Sequence, residues 1–195
     1  MSKQLVACVV LSFSMVTAAC DAPSTPATTN QAAPVAAPVV TRERVVRLDL
    51  LAQSAVVAVA NPSVPQPQAN VRVASWGKEA DVLWTNPGAR IQFDSVAIQA
   101  GDHLETSITI HDQSIGASDG ASFIVLFNDG AGETELFRRD VDRAAIDAAG
   151  GWLKVDVDLA AATGRTGSLI FTLEPGAAGV DVGDWGLWAS PAIKS

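Results

Sequence analysis

The sequence predicts an all-β fold, a sandwich or barrel of short antiparallel strands, and three observations carry the prediction. Apolar residues alternate with polar ones at a period of two through most of the chain after residue 88. The alternating runs are short and close on turn signals such as Asp129-Gly130 and Pro175-Gly176. Helical spacing occurs in one segment only, VDRAAIDAAGG, and its two glycines end it after about two turns.

Taken in order, residues 44 to 75 read as an opening strand pair with a proline-rich loop at Pro62 to Pro67. ARIQFDSVAI turns Ile91, Phe93, Val96 and Ile98 inward. LETSITI does the same with Leu104, Ile108 and Ile110, with Thr106 between them. SFIVLFNDG is denser in apolar residues, as a central strand requires, and runs into a turn. WLKVDVDL places Leu153, Val155, Val157 and Leu159 on one face and Lys154, Asp156 and Asp158 on the other. SLIFTLEPG is a further strand with a Pro-Gly stop.

The N-terminus has a different character. One charge at Lys3 is followed by an apolar stretch from Leu5 to Val16 and the small residues Thr17, Ala18 and Ala19, the pattern of an export signal. That stretch falls short of the ~20 apolar residues a spanning helix needs. Residues 1 to 19 are read as a signal, and Cys8 leaves with it. Residues 20 to 40 then carry four prolines, six alanines and one charge after Cys20, the composition of a tether that reaches roughly 60 Å in polyproline conformation. The folded domain is read as residues 41 to 195, long enough to bury about two-thirds of its unfolded surface without a disulfide.

The chain holds 13 Lys and Arg against 21 Asp and Glu, a net charge of −8. Removing Lys3 with the signal leaves 12 − 21 = −9. Such a surface repels nucleic acid and anionic headgroups, so no nucleic-acid partner is expected.

Enzyme chemistry finds little footing. His103 and His111 stand at opposite ends of one strand, roughly 26 Å apart at ~3.3 Å per residue, too far to share a metal or a proton relay, and each reads as a loop or edge residue. The sequence has no G-x-S-x-G, no H-E-x-x-H and no phosphate-cradling glycine loop. Asp156 and Asp158 lie on a solvated face, and Glu133 and Glu135 flank a turn, so neither pair suits glycoside hydrolysis. Loop carboxylates Asp112, Asp119, Asp181 and Asp184 are hard oxygen donors of the kind Ca²⁺ takes, although EF-hand spacing is absent and Asp-Gly pairs also simply end strands.

Two resemblances sharpen the expectation. TAAC, ending at Cys20, resembles the lipobox of bacterial lipoproteins, with Thr17 where leucine is usual, and implies that Cys20 is acylated; an ordinary secretory signal is the alternative. Acyl chains contribute about 0.8 kcal/mol per buried methylene, so two or three hold a protein at a bilayer. The expected location is therefore the cell envelope, membrane-anchored and facing the periplasm. Asp21 resembles the inner-membrane retention signal of enteric bacteria.

From residue 81 to 194, the blocks LWTNPGARIQF, SDGASFIVLFNDG, LFRRDV, GWLKVDVDLAAATGRTGSLIFTLEPG and DWGLWASPAI follow one another in an order that matters. They resemble jelly-roll domains, lectin-like or carbohydrate-binding-module-like, at the ends of many bacterial envelope glycosyltransferases and glycan-active proteins. The resemblance implies a single antiparallel jelly-roll β-sandwich, glycan contact and no catalytic residues; related sandwiches often carry one structural Ca²⁺, the alternative to Asp-Gly pairs that only end strands. Five tryptophans in a chain without tyrosine supply indole faces for stacking on sugar rings. Trp152 and Trp188 read as packing residues; Trp84 and Trp185, with Asn86 and Asp184, are the expected ligand contacts, and Asp119 and Gln113 are further polar candidates. The expected function is a lipid-anchored, non-catalytic binding module for an envelope glycan or glycolipid; the alternative is an assembly lipoprotein that docks onto a membrane protein and touches no sugar.

Overall fold

In the computed structural model, residues 43–59 and 65–195 are described. The signal, Cys20, the tether and residues 60–64 of the proline-rich loop lie outside them. The strands are β1 (Val46–Asp49), β2 (Val56–Val59), β3 (Gln68–Ser75), β4 (Lys78–Thr85), β5 (Ala89–Ala97), β6 (His103–Ile110), β7 (Ala121–Asn128), β8 (Glu133–Val141), β9 (Leu153–Asp158), β10 (Thr166–Pro175) and β11 (Gly186–Lys194). One helix, α1 (Arg143–Ala148), stands between β8 and β9. The strands form two antiparallel sheets, one in the order β3-β4-β11-β6-β9 with β1 also paired to β11, the other in the order β2-β5-β10-β7-β8. The fold is an all-β sandwich.

Apolar alternation explains the core between the sheets. Leu83, Leu104, Ile108, Leu153, Val155, Val157 and Trp188 face Ile91, Phe93, Phe123, Val125, Phe127, Leu169 and Phe171. Trp188 is wholly buried and meets Phe123 and Phe171 edge-on, with ring centroids 5.0 and 5.1 Å away. Edge-to-face contact suits the aromatic quadrupole, and the indole N–H is satisfied by Thr85 Oγ1 at 3.1 Å. In β5 the inward residues pass from odd positions, Ile91 and Phe93, to even ones, Val96 and Ile98. A register shift against β10 and a positive φ of 57° at Ser95 absorb the extra residue, as a bulge does.

Two expectations need correction and one holds. Residues 44 to 75 do not pair with themselves: β1 joins β11 in one sheet and β2 joins β5 in the other, so the chain crosses the sandwich between them. SFIVLFNDG is an interior strand as read: β7 is paired on both sides, to β10 and to β8, although β10 holds the middle of the sheet. Of the two histidines read as loop or edge residues, His111 does stand in the loop after β6 and His103 does not. His103 opens the interior strand β6, with Nδ1 2.7 Å from Asp156 Oδ1 and Nε2 3.2 Å from Arg44 Nη2, while His111 is buried.

The segment VDRAAIDAAGG does form a helix. Asp142 caps α1 by accepting from the Ala145 N–H at 2.7 Å, Arg143 pairs with Asp147 one turn on, and Gly150 and Gly151 leave it with positive φ. Gly151 is fixed by more than conformation, because a Cβ there would lie 2.5 Å from Trp76 Cβ.

A second, smaller cluster lies on the outer face of the first sheet, where Val73, Val82, Leu187 and Trp152 are buried and Trp76 and Trp84 pack against them. Val73, Val82, Trp84 and Leu187 occupy the intervening positions of β3, β4 and β11, with Trp76 from the β3–β4 turn and Trp152 from just before β9 beside them, so this part of the sheet is apolar on both faces. It fixes the indoles at one end of the sandwich.

Candidate functional site

Three adjacent strands, β4, β11 and β6, bring the candidate site together. Trp84 pairs with Leu187, and Gly186 stands opposite both Thr85 and Ile110. One residue beyond the ladder, the His111 N–H donates to the Trp185 carbonyl at 2.9 Å. The Trp84, His111 and Trp185 side chains therefore converge: ring centroids are 5.4 Å apart for Trp84 and His111, 5.6 Å for Trp84 and Trp185, and 6.1 Å for His111 and Trp185. Trp185 is 37% exposed, Trp84 is half-buried and His111 is buried. The result is a braced aromatic platform with one indole open to solvent.

The brace is polar. His111 Nδ1 accepts from the Gln113 N–H at 3.1 Å, which orients the ring, and Asp112 Oδ1 lies 3.0 Å from the same nitrogen. Asp112 in turn accepts from the Trp76 N–H at 2.9 Å, its own N–H donates to Ser75 Oγ at 3.1 Å, and Trp76 Nε1 donates to the Ile110 carbonyl at 2.8 Å. The tip of the β3–β4 hairpin is thus tied to the connection between β6 and β7. Arg143 lies over the Trp76 ring at 5.2 Å from its centroid, a cation–π contact from α1.

Beside Trp185, Asp184 is fully buried. Its Oδ1 accepts from Ser118 Oγ at 2.5 Å and the Gly176 N–H also donates to the carboxyl, while Oδ2 has no hydrogen-bond partner. Burial pushes the Asp184 carboxyl up to about 6; the Ser118 hydrogen bond opposes this, and the charges of Asp119 and Asp181 add to it. The loops meet here closely enough that glycine is required: a Cβ on Gly183, whose φ is +83°, would lie 2.7 Å from the Ser114 carbonyl oxygen.

The expected ligand residues are thus only partly assembled. Trp84 and Trp185 share the platform. Asn86 is buried, with Nδ2 donating to the Pro65 carbonyl at 3.4 Å, and Asp184 is buried too, so neither side chain is presented at the surface of the platform. Gln113 contributes its backbone N–H to His111. Trp152 and Trp188 pack as read from the sequence. Of the carboxylates considered for Ca²⁺, Asp119 and Asp181 are near enough for their charges to act on Asp184, but Asp119 Oδ2 is taken by the Ala178 N–H at 2.7 Å and Asp112 by Trp76 and His111. Among the described residues no three His, Cys, Asp or Glu side chains converge as metal ligands, so the four do not fit one ion as they stand. His111, read from the sequence only as a loop or edge residue, is the member of the platform that the sequence reading did not assign to it.

No protein-family model matches the chain, and no curated protein matches it. Solved structures do. The CBM51-2 and INT domains of Clostridium perfringens ZmpB align at 16% identity over 76% of this chain and 31% of that one, with a TM-score of 0.52. The CBM51 module of C. perfringens GH95, in complex with methyl-galactose, aligns at 14% identity over 76% of this chain and 99% of that one, with a TM-score of 0.50. The chain spans less than a third of the ZmpB structure and nearly all of the isolated module. The domain therefore has the β-sandwich architecture of carbohydrate-binding modules.

Proposed function

We propose that this chain is a lipid-anchored, non-catalytic glycan-binding protein of the cell envelope, with Cys20 as the acylated residue and the sandwich as the binding module. The observation that carries the binding reading is the half-exposed Trp185, held rigid by Trp84 and His111 at the loop end of the fold. A sugar ring stacks its apolar face on an immobilised indole at small entropic cost. The architecture supports the reading, since similar modules include one solved with GlcNAc and one with methyl-galactose. The lipobox-like TAAC and the proline-rich tether support attachment and reach.

A second reading, docking onto an envelope protein without sugar, rests on Val180 and Val182, which are 45% and 58% exposed in the loop that carries Trp185. Indole emission of the full chain separates the two readings. Envelope polysaccharide fragments are expected to shift the emission saturably, and Trp185→Ala to remove the shift while leaving the thermal midpoint nearly unchanged. No response to any glycan from a folded protein transfers the reading to protein docking. Incorporation of labelled palmitate, lost in Cys20→Ala, tests the anchor.

A further inference from the structure

The charge around the platform narrows the ligand class. Three segments frame it: residues 84 to 88, 111 to 120 and 176 to 186. Together they contain Asp112, Asp119, Asp181 and Asp184 and no Lys or Arg. The nearest basic side chains are occupied or peripheral: Arg143 lies over Trp76 and is paired with Asp147, and Lys78 is exposed in the hairpin tip. Asp112, exposed, touches the His111 ring that braces both indoles. Asp181 is exposed in the same loop as Trp185.

A separate feature points the same way. Asp184 Oδ2 is buried beside Trp185 with no donor to neutralise it, so its negative charge acts on the platform without a local counterion. On the neighbouring surface a depression of about 410 Å³ is lined by Asp119, Asp140, Asp142 and Ser122, again with no basic residue. An indole face attracts a cation and offers nothing to an anion. An anionic glycan, rich in uronate, sialate or phosphate, meets the exposed carboxylates of Asp112 and Asp181 beside the platform.

Resting on the glycan-binding reading above, we propose that the Trp84–Trp185 platform selects glycans bearing free amino groups, takes neutral sugars less tightly and rejects acidic ones. An ammonium group on the bound sugar stacks against Trp185 and is drawn by Asp112 and Asp181. Exposed carboxylates acting through water and salt on one ammonium correspond to about a tenfold preference at low ionic strength.

Calorimetric titration of the full chain at pH 6.5, where a large share of glucosamine amino groups is protonated, tests this with three trimers: glucosamine trimer, its N-acetylated counterpart and a galacturonic acid trimer. The expected order of affinity is cationic, neutral, anionic, with about tenfold between the first two in 20 mM salt and most of that gap lost in 500 mM salt. Asp181→Asn, at an exposed side chain outside the brace, is expected to narrow the gap between the cationic and the neutral trimer about threefold, read as the ratio of the two affinities. Equal affinities, or the acidic trimer binding tightest, overturn the charge selectivity and leave the glycan reading standing. No binding of any trimer to the unsubstituted protein overturns both.

Discussion

Asp102 and Asp184 are both buried aspartates, each set just before a strand, at opposite ends of the sandwich, and their surroundings differ in kind. Asp102 precedes β6. Its carboxylate accepts from Arg47 Nε at 3.0 Å and from Arg47 Nη2, from Ser195 Oγ at 2.6 Å and from the Gln99 N–H at 2.8 Å. Burial pushes it up, but the hydrogen bonds from Arg47, Ser195 and Gln99, with the Arg47 charge, outweigh this and hold it below the ordinary carboxylate range. Asp184 precedes β11, has the Ser118 hydroxyl and the Gly176 N–H as its donors, and is pushed up. One end is a staple that fastens β1 and the C-terminal residue to the sheet; the other is a strained nest beneath an exposed indole. The lesson is that burial alone does not set a carboxylate's cost, because a fixed guanidinium reverses its sign.

The largest expected effect breaks the staple. Asp102→Ala leaves Arg47 without its acceptor and frees Ser195, and is expected to cost about 3–5 kcal/mol, read by denaturant unfolding. A cost below about 1 kcal/mol would show that Arg47 finds water as readily as it found Asp102.

Next comes the opposite substitution at the other end. Because the folded Asp184 titrates at about 6, above its unfolded value, its contribution to stability is fully present at low pH and is lost as pH rises through that value. Asp184→Asn is therefore expected to stabilise the protein by up to about 3 kcal/mol at pH 8 and to change little below pH 4. Thermal midpoints of the two proteins across that range give the difference directly. A loss of stability at pH 8 that a chelator reproduces in the unsubstituted protein would instead place a cation on Asp184. Asp102 runs the other way: its contribution is present above the unfolded carboxylate value and fades as pH falls through the lower folded one.

The smallest effect sharpens the contrast. Ser118→Ala removes a hydrogen-bond donor to Asp184 and the acceptor of the Gly120 N–H, at an expected cost of about 1 kcal/mol above pH 6. It also raises the Asp184 titration further, which ¹³C shifts of the carboxyl would follow.

Much of this was legible in the chain. Period-two alternation assigned the buried faces of β5, β6 and β9, and the two glycines after Ala149 ended α1, because side-chain direction and turn conformation are local properties. Trp84 and Trp185 were also legible as a pair of interest, since indoles flanking turns have few other uses. The buried state of Asn86 and Asp184 was not, nor was the part played by His111. Each depends on which loop covers it: Pro65 over Asn86, Ser118 and Gly176 around Asp184, Trp185 against His111.

By itself, then, the sequence determined the all-β class, the strand faces, the one helix and the acidic balance, all of which follow from spacing and composition. Only the tertiary structure decided that β1 and β2 enter different sheets, that Arg47 neutralises one buried aspartate while the other goes without a counterion, and that His111 braces two indoles. The physical reason is that strand pairing and charge compensation join residues far apart in the chain, as with Arg47 and Asp102, and no local pattern encodes which distant partner arrives.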